Sequence, residues 1–438
     1  MSSSPPVTYA RRVGPFSGTM MVVGGIIGAG IFLNPAVVAQ RVGTVPLILG
    51  VWLAGAVVAV LGAFIFGELG ARRPEAGGGY AYLREAYGPL PAFLQAWTLL
   101  VVISSGAIAA VGLTFATYAS SLFGLPPSFA TPLALGAIVL LTGINVVGVA
   151  PAAVTGNVFT LLKLAALALL IGAGALLAHR APVPPPPLAV PAHPLLAAAA
   201  GLVPVLFAFG GWQQTNFVAE EMVDPERNLP RALLLGVGIV VVVYLAANAV
   251  YLRTLGASGL AASTAPASDA MTALLGPWGR TAIAAGITAS TFGFLHVVIL
   301  VSPRVYQAMA RDGAALEPLA RLHPRFRTPA IALLVQGAWA SVLVLTGTYG
   351  DLLDYAAFGD WLFFAAVAST LFVFRRRDPA NEAPRFRAPF YPWSVLLFIA
   401  AGLYTMLGTI AANPWNAARG AGLILAGIPV YLLVRRRR

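Results

Sequence analysis

Gly24-Gly25-Ile26-Ile27-Gly28-Ala29-Gly30 places four glycines among seven residues, in the middle of a largely apolar run that extends from Pro15 to Gln40. A run of this length exceeds the ~20 residues that a helix needs to cross a bilayer core. Glycine weakens a helix relative to alanine by about 0.5–1 kcal/mol per residue. The cluster therefore predicts a helix interrupted inside a membrane. Two other readings compete: glycines also let helices pack closely in lipid, and a glycine run can form a dinucleotide loop. The loop needs a strand before it and a βαβ unit around it, and this sequence offers neither.

Apolar runs recur along the rest of the chain, near 15–40, 45–70, 90–122, 131–150, 154–178, 199–221, 230–254, 279–311, 329–348, 352–374, 391–412 and 417–434. With 59% hydrophobic and 10% charged residues among 438, the chain lacks the polar surface of a soluble globule. The expected fold is an all-α polytopic membrane protein of about twelve spans. A polyproline stretch beginning at Ala181 follows the fifth span. The span after it repeats the defect of the first, because Phe207-Ala208-Phe209-Gly210-Gly211-Trp212 sets a glycine pair near its middle. Matched interruptions in two halves point to an inverted-repeat transporter with a midplane site, so discontinuous helices are expected in spans one and six of a five-plus-five core. The expected organisation is a tail over 1–14, a first repeat over 15–178, a Pro-rich outer loop over 179–198, a second repeat over 199–374, a loop over 375–390, two further spans over 391–434 and a basic tail over 435–438. Ser268 to Gly276 reads as a short helix over the outer mouth.

Charge placement sets the orientation. Twenty-one of the 27 Lys+Arg fall on one side of the twelve spans, five fall on the other, and Lys163 lies within a span. This asymmetry is the positive-inside pattern. It predicts a multi-pass protein of the cell membrane with both termini cytoplasmic, and it accounts for the net charge of +12 without nucleic acid. The chain has no cysteine, which excludes disulfides and thiolate metal sites. No metal or cofactor motif is present, and Lys163, Asp360 and His296 lie on three separate spans, which argues against an enzyme.

A helix broken within the membrane exposes N–H groups at the start of its outer half and C=O groups at the end of its inner half. The positive end around Gly28, Ala29 and Gly30 suits a carboxylate. Carbonyls near Ile26, Phe207 and Phe209 suit an ammonium group, with Ala208 and Gly210 in the same break. Phe207, Trp212 and Trp361 are the aromatic candidates for a gate. Lys163 is the sole lysine, set near the middle of the fifth span, where an ionisable residue is a functional candidate. It could bridge the broken first helix to the eighth, titrate in a proton-coupled cycle, or snorkel to an interface. Asp360, in the tenth span, reads either as a site residue or as an internal hydrogen-bonding anchor. Glu68, Glu220 and Glu221 stand at span ends beside arginines, where ion pairs that close a gate are expected. His296 reads as a bonded interior histidine or, alternatively, a proton relay.

Taken together, Gly25-Ile-Ile-Gly-Ala-Gly-Ile-Phe32, Gly67-Glu-Leu-Gly, Gly77-Gly-Gly-Tyr-Ala-Tyr-Leu, the segment from Ala208 to Pro230, Ser302-Pro-Arg-Val-Tyr-Gln-Ala-Met-Ala-Arg-Asp-Gly and the Phe-Gly-Asp-Trp around Asp360 form a distinctive set. From about residue 14 to 434 the chain resembles the amino acid-polyamine-organocation superfamily, specifically its L-type amino acid transporter branch. The resemblance implies alternating access and transport of neutral L-amino acids, usually by exchange. It implies that the backbone from Ile26 through Ile27, Gly28 and Ala29 to Gly30 holds the α-carboxylate and α-amine, and that Phe207 is a gate. A lysine at the Lys163 position stands where sodium sits in related carriers, so sodium-independent transport is implied, with Ser290 as its neighbour. Asp360 and Gln213 depart from the family's frequent asparagines. This leaves open a carrier of cationic amino acids or polyamines that uses Asp360, or a receptor that binds amino acids without moving them. Animal members pair with a single-span glycoprotein through a disulfide, and without cysteine that linkage cannot form. The expected partners are an amino acid substrate and membrane lipids.

Overall fold

The computed structural model describes residues 8–180, 191–347, 349–379 and 384–436. The first seven residues, the polyproline stretch, residues 380–383 of the loop before span eleven, and the last two arginines lie outside the described residues.

The first span is two helices, Pro15–Ile26 and Gly30–Val42, bent by 41° at the break between them. Among the described residues nine further helices are long and apolar enough to cross a bilayer: Val45–Arg72, Pro89–Phe123, Pro127–Val147, Val149–Leu177, Pro194–Glu221, Pro225–Ala262, Pro266–Arg311, Trp393–Ala411 and Pro414–Arg435. Ala330–Thr346 and Tyr349–Arg377 stand at the positions of the ninth and tenth spans. Lipid cannot hydrogen-bond a peptide group, so each segment satisfies its backbone internally. The sixth span also changes character partway. It runs as an α-helix over Pro194–Ala208, turns at Gly210 and Gly211, and continues as tighter 3₁₀ turns over Trp212–Glu221.

Small residues mark where spans cross closely, as expected in lipid. A methyl added at Gly174 of the fifth span would lie 2.4 Å from Val250 of the seventh, and one at Gly286 of the eighth 2.3 Å from Ala166 of the fifth. Most interior glycines are thus packing glycines; the break is a property of the cluster. The short helix expected from Ser268 to Gly276 is present but begins at Pro266, and it joins the eighth span through a left-handed turn at Gly276 (φ 65°).

Candidate transport site

The two breaks meet backbone to backbone. A Cβ on Gly211 would stand 2.1 Å from the Gly25 carbonyl oxygen, and one on Gly30 3.2 Å from Ala208 Cα. Gly211 also takes φ 112°, which side chains rarely adopt. Glycine is therefore required here by both space and conformation.

Beside this junction lies a cavity of about 290 Å³, near the lower end of the range for small-molecule sites. Its wall includes Ile26, Gly28, Ala29 and Gly30 from the first break, Phe207, Ala208 and Gly210 from the second, and Asp360 and Trp361 from the tenth span. Phe207 is 53% exposed and projects from that wall. Of the other candidates, Ile27 is buried behind the wall, and two aromatics do not reach the cavity. Phe209 packs against Trp52 and Tyr244, with ring centroids 5.9 and 5.0 Å away. Trp212 packs against Phe66, Phe364 and Phe398. Phe209 lies two residues, about half a helical turn, from Phe207, and Trp212 follows the turn at Gly210 and Gly211, so both point behind the wall.

The carbonyl end of the inner half-helix is held by side chains from three other spans. Lys163 Nζ donates to the Ile27 oxygen at 2.6 Å and the Gly24 oxygen at 3.1 Å, and it is fully buried. Ser290 Oγ lies 3.0 Å from the Gly28 oxygen and 3.3 Å from that of Ile27. Tyr244 OH lies 3.3 Å from the Ile26 oxygen and 3.2 Å from that of Ala208, touching both broken helices at once. A lysine at the negative end of a half-helix is favoured by the dipole. The carbonyls expected to await an ammonium group already have partners: the Ile27 oxygen takes both Lys163 and Ser290, the Ile26 oxygen takes the Tyr244 hydroxyl and the Gly28 amide, and the Phe207 oxygen takes the Gly210 amide. Across the gap, Ala29 at the cap of the outer half-helix provides no side-chain acceptor, so the first amides of that half-helix remain available in the cavity wall.

Sequence reasoning missed several of these groups. Tyr244 carried one signal, an aromatic hydroxyl at midspan instead of at the interface where tyrosine is usually found. Leu99–Ile103 forms a π-helical turn that brings Leu99 and Ile103 into the cavity wall, with Ser105 Oγ bonded to the Leu100 oxygen at 2.7 Å. Such turns gather at functional sites, and nothing in the residue pattern announces this one. Asn34 ties the outer half of the first span to the Pro204 oxygen at 2.9 Å.

Toward the amino-terminal side the path is shut. Arg304 and Glu221, both buried, pair at 2.7 Å between the eighth and sixth spans. The Glu221 carbonyl accepts from the amides of Arg12 and Val13, which fastens the tail beneath the first span. Glu220 pairs with Arg311 at 3.4 Å. Glu68 binds Arg72 and Arg375 and accepts from the Ala388 amide. Asp378, just beyond the tenth span, would be raised by burial, but Arg73 and Arg72 outweigh that and lower it. His296 is bonded inside the protein: its Nε2 lies 2.6 Å from the Ala152 oxygen, so that nitrogen is the donor.

Two opposed broken helices around a cavity among the spans, with one side closed by buried ion pairs, form the architecture of a membrane transporter. The amino acid permease family model matches residues 13–434, and the chain belongs to that family, within the amino acid-polyamine-organocation superfamily. It is 30% identical to the serine/threonine exchanger SteT of Bacillus subtilis (strain 168) over 98% of each chain. It is 32% identical to the Asc-type amino acid transporter 1 of Mus musculus, over 98% of this chain and 82% of that one. Identity to the large neutral amino acids transporter small subunit 2 of Rattus norvegicus is also 32%, over 98% and 81%. The chain is thus a multi-pass amino acid transporter or exchanger of the L-type kind.

Proposed function

We propose that this protein is a sodium-independent carrier that exchanges neutral L-amino acids across the cell membrane, with both termini in the cytoplasm. The observation that carries this reading is Lys163. Its ammonium lies against the Gly24 and Ile27 carbonyls, which supplies a fixed positive charge at the end of the broken half-helix. Carbonyls at such a break otherwise suit a mobile cation. With the charge built in, binding needs no sodium. The substrate's α-carboxylate meets the open amides of Ala29 and Gly30. Its α-ammonium lies at the negative ends of the two half-helices around Ile26 and Phe207. This assignment places recognition of the group common to all amino acids on backbone atoms.

Phe207, half exposed on the wall, folds over the bound solute and closes the outer route. Parting of Arg304 from Glu221 opens the inner one. The arginine asymmetry across the spans supports the orientation, and the serine/threonine, Asc-type and large neutral relatives support the substrate class. The test is labelled amino acid uptake into liposomes containing the purified protein. Uptake is expected to require amino acid inside and to be indifferent to replacement of sodium by choline. Strict dependence on sodium, or no uptake of any neutral amino acid, overturns the proposal.

A further inference from the structure

The geometry points to a lipid site: Arg231, Arg385 and Arg387 hold the phosphate of an anionic phospholipid where the second, seventh and eleventh spans meet, in the leaflet on the amino-terminal side. This corner is built on Gly67, near the end of the second span. A Cβ there would stand 3.4 Å from Pro230 Cα of the seventh span and 3.1 Å from Phe386 Cε1, in the loop that leads to the eleventh. Arg231 is thus the next residue after one of these contacts, and Arg385 and Arg387 flank the other. Phe386 turns inward and stacks on Phe64, with ring centroids 6.5 Å apart, while the arginines on either side of it are exposed.

The fold supplies no anion for these arginines. Among the described residues none of the three makes a hydrogen bond or ion pair, and neither does Arg227, one turn before Arg231. Glu68, the carboxylate beside Gly67, is buried and already taken by Arg72, Arg375 and the Ala388 amide. Glu226, exposed in the first turn of the seventh span, pairs with none of them. Their height in the membrane selects the partner. Arg227 and Arg231 lie on the same helical face as Leu235 and Val242, which are 60% and 68% exposed and meet lipid. The arginines stand where that apolar stripe ends, at the level of the headgroups, where basic clusters recognise anionic lipid. Phe390 and Trp393, both largely exposed, mark the same level at the start of the eleventh span. Like charges one turn apart repel, and guanidinium forks fit phosphate oxygens in pairs. A phosphate here ties the seventh span to the loop whose Ala388 is already bonded to Glu68 and Arg375.

The experiment takes the purified full chain, stripped of lipid in a neutral detergent, and adds dioleoyl phosphatidylglycerol or dioleoyl phosphatidylcholine. Native mass spectrometry counts the bound lipid, and thermal melting reports its effect. Phosphatidylglycerol is expected to bind at least about tenfold more tightly than phosphatidylcholine and to raise the melting temperature more. Combining Arg231→Gln, Arg385→Gln and Arg387→Gln should abolish that preference. Combining Arg325→Gln, Arg327→Gln and Arg376→Gln, which removes three other exposed arginines of the same side, should keep it. Should the first triple variant fail to assemble, Arg231→Gln alone is expected to weaken the preference severalfold, and an unchanged preference overturns the site. Equal binding of the two lipids by the wild type overturns it, and so does an equal loss in both triple variants, which would assign the preference to surface charge in general. Glycerol 3-phosphate that stabilises as well as phosphatidylglycerol at the same concentration would mean a soluble phosphate, and it too overturns the lipid. None of these measurements uses an amino acid, so the transport reading stands or falls apart from them.

Discussion

The breaks in the first and sixth spans are made of similar residues, yet they are held in opposite ways. The first is fastened from outside: Lys163, Ser290 and Tyr244 reach it from the fifth, eighth and seventh spans and occupy the carbonyls of Gly24, Ile26, Ile27 and Gly28. The sixth is closed mainly by its own chain. The Gly210 amide donates to the Phe207 oxygen and the Gly211 amide to the Gln213 side chain, with Tyr244 at the Ala208 oxygen and Asn34 at the Pro204 oxygen coming from elsewhere, whereas the first break adds only the Gly28 amide on the Ile26 oxygen to its outside partners. Phe207 is half exposed, whereas Ile26, Ile27 and Ile31 around the first break are buried. A break pinned by side chains from several helices holds its dipoles in place. A break satisfied by its own turns can change shape at little cost to its neighbours. The first is therefore suited to binding the invariant part of a solute, and the sixth to closing over whatever varies.

The largest expected effect breaks the contact between the two. Gly211→Ala would drive a methyl to within 2.1 Å of the Gly25 carbonyl at φ 112°, so the helices must separate. Little or no monodisperse protein and no uptake are expected on size exclusion and in liposomes. Gly210→Ala has no positive φ to contend with, and its nearest neighbour would be the Phe207 oxygen at 3.3 Å. It should assemble and melt within a few degrees of wild type. Equal damage from both would mean that the sixth break is as rigid as the first. Lys163→Met comes next. It keeps the length of the side chain but leaves the Gly24 oxygen without its buried donor and the Ile27 oxygen with only the Ser290 hydroxyl at 3.3 Å, at about 1–3 kcal/mol each. Exchange should fall by roughly a hundredfold, from 1.4 kcal/mol per factor of ten, with the protein still folded. Wild-type exchange would show that the first break does not depend on that ammonium.

Much of this contrast could be read from the sequence, and the limits have physical causes. The glycine clusters, the lysine set alone at midspan and the arginine asymmetry are one-dimensional signals, because each states what a residue type costs or gains in lipid. They led to the broken helices and to Lys163 as a bridge from the first break, whereas Ser290 as its neighbour was implied only by the family resemblance. What depends on helix rotation was not legible. Phe209 and Trp212 sit two and five residues from Phe207, and only the path of the chain after the break decides that they turn toward Trp52 and Phe398. The π-helical turn at Leu99–Ile103 shifts a whole face of the third span by one residue, with apolar residues on either side that would also fit an ordinary helix. Tyr244 joins positions 218 and 36 residues away in the chain, a relation that no local pattern encodes.

The smallest expected effect is the one that sharpens the comparison most. Tyr244→Phe removes a single hydroxyl and keeps the ring against Trp52 and Phe209, at centroid separations of 5.8 and 5.0 Å. One proton serves two carbonyls, so the loss is that of about one hydrogen bond, ~0.5–1.5 kcal/mol. Exchange should slow by about threefold to tenfold with little change in melting temperature. Its value lies in combination with Lys163→Met, because groups that share one element couple whereas independent ones add. If both side chains hold the first break, the double variant should lose less than the product of the two single losses. A purely multiplicative result would assign Tyr244 to the sixth break and leave the first pinned from the fifth and eighth spans alone.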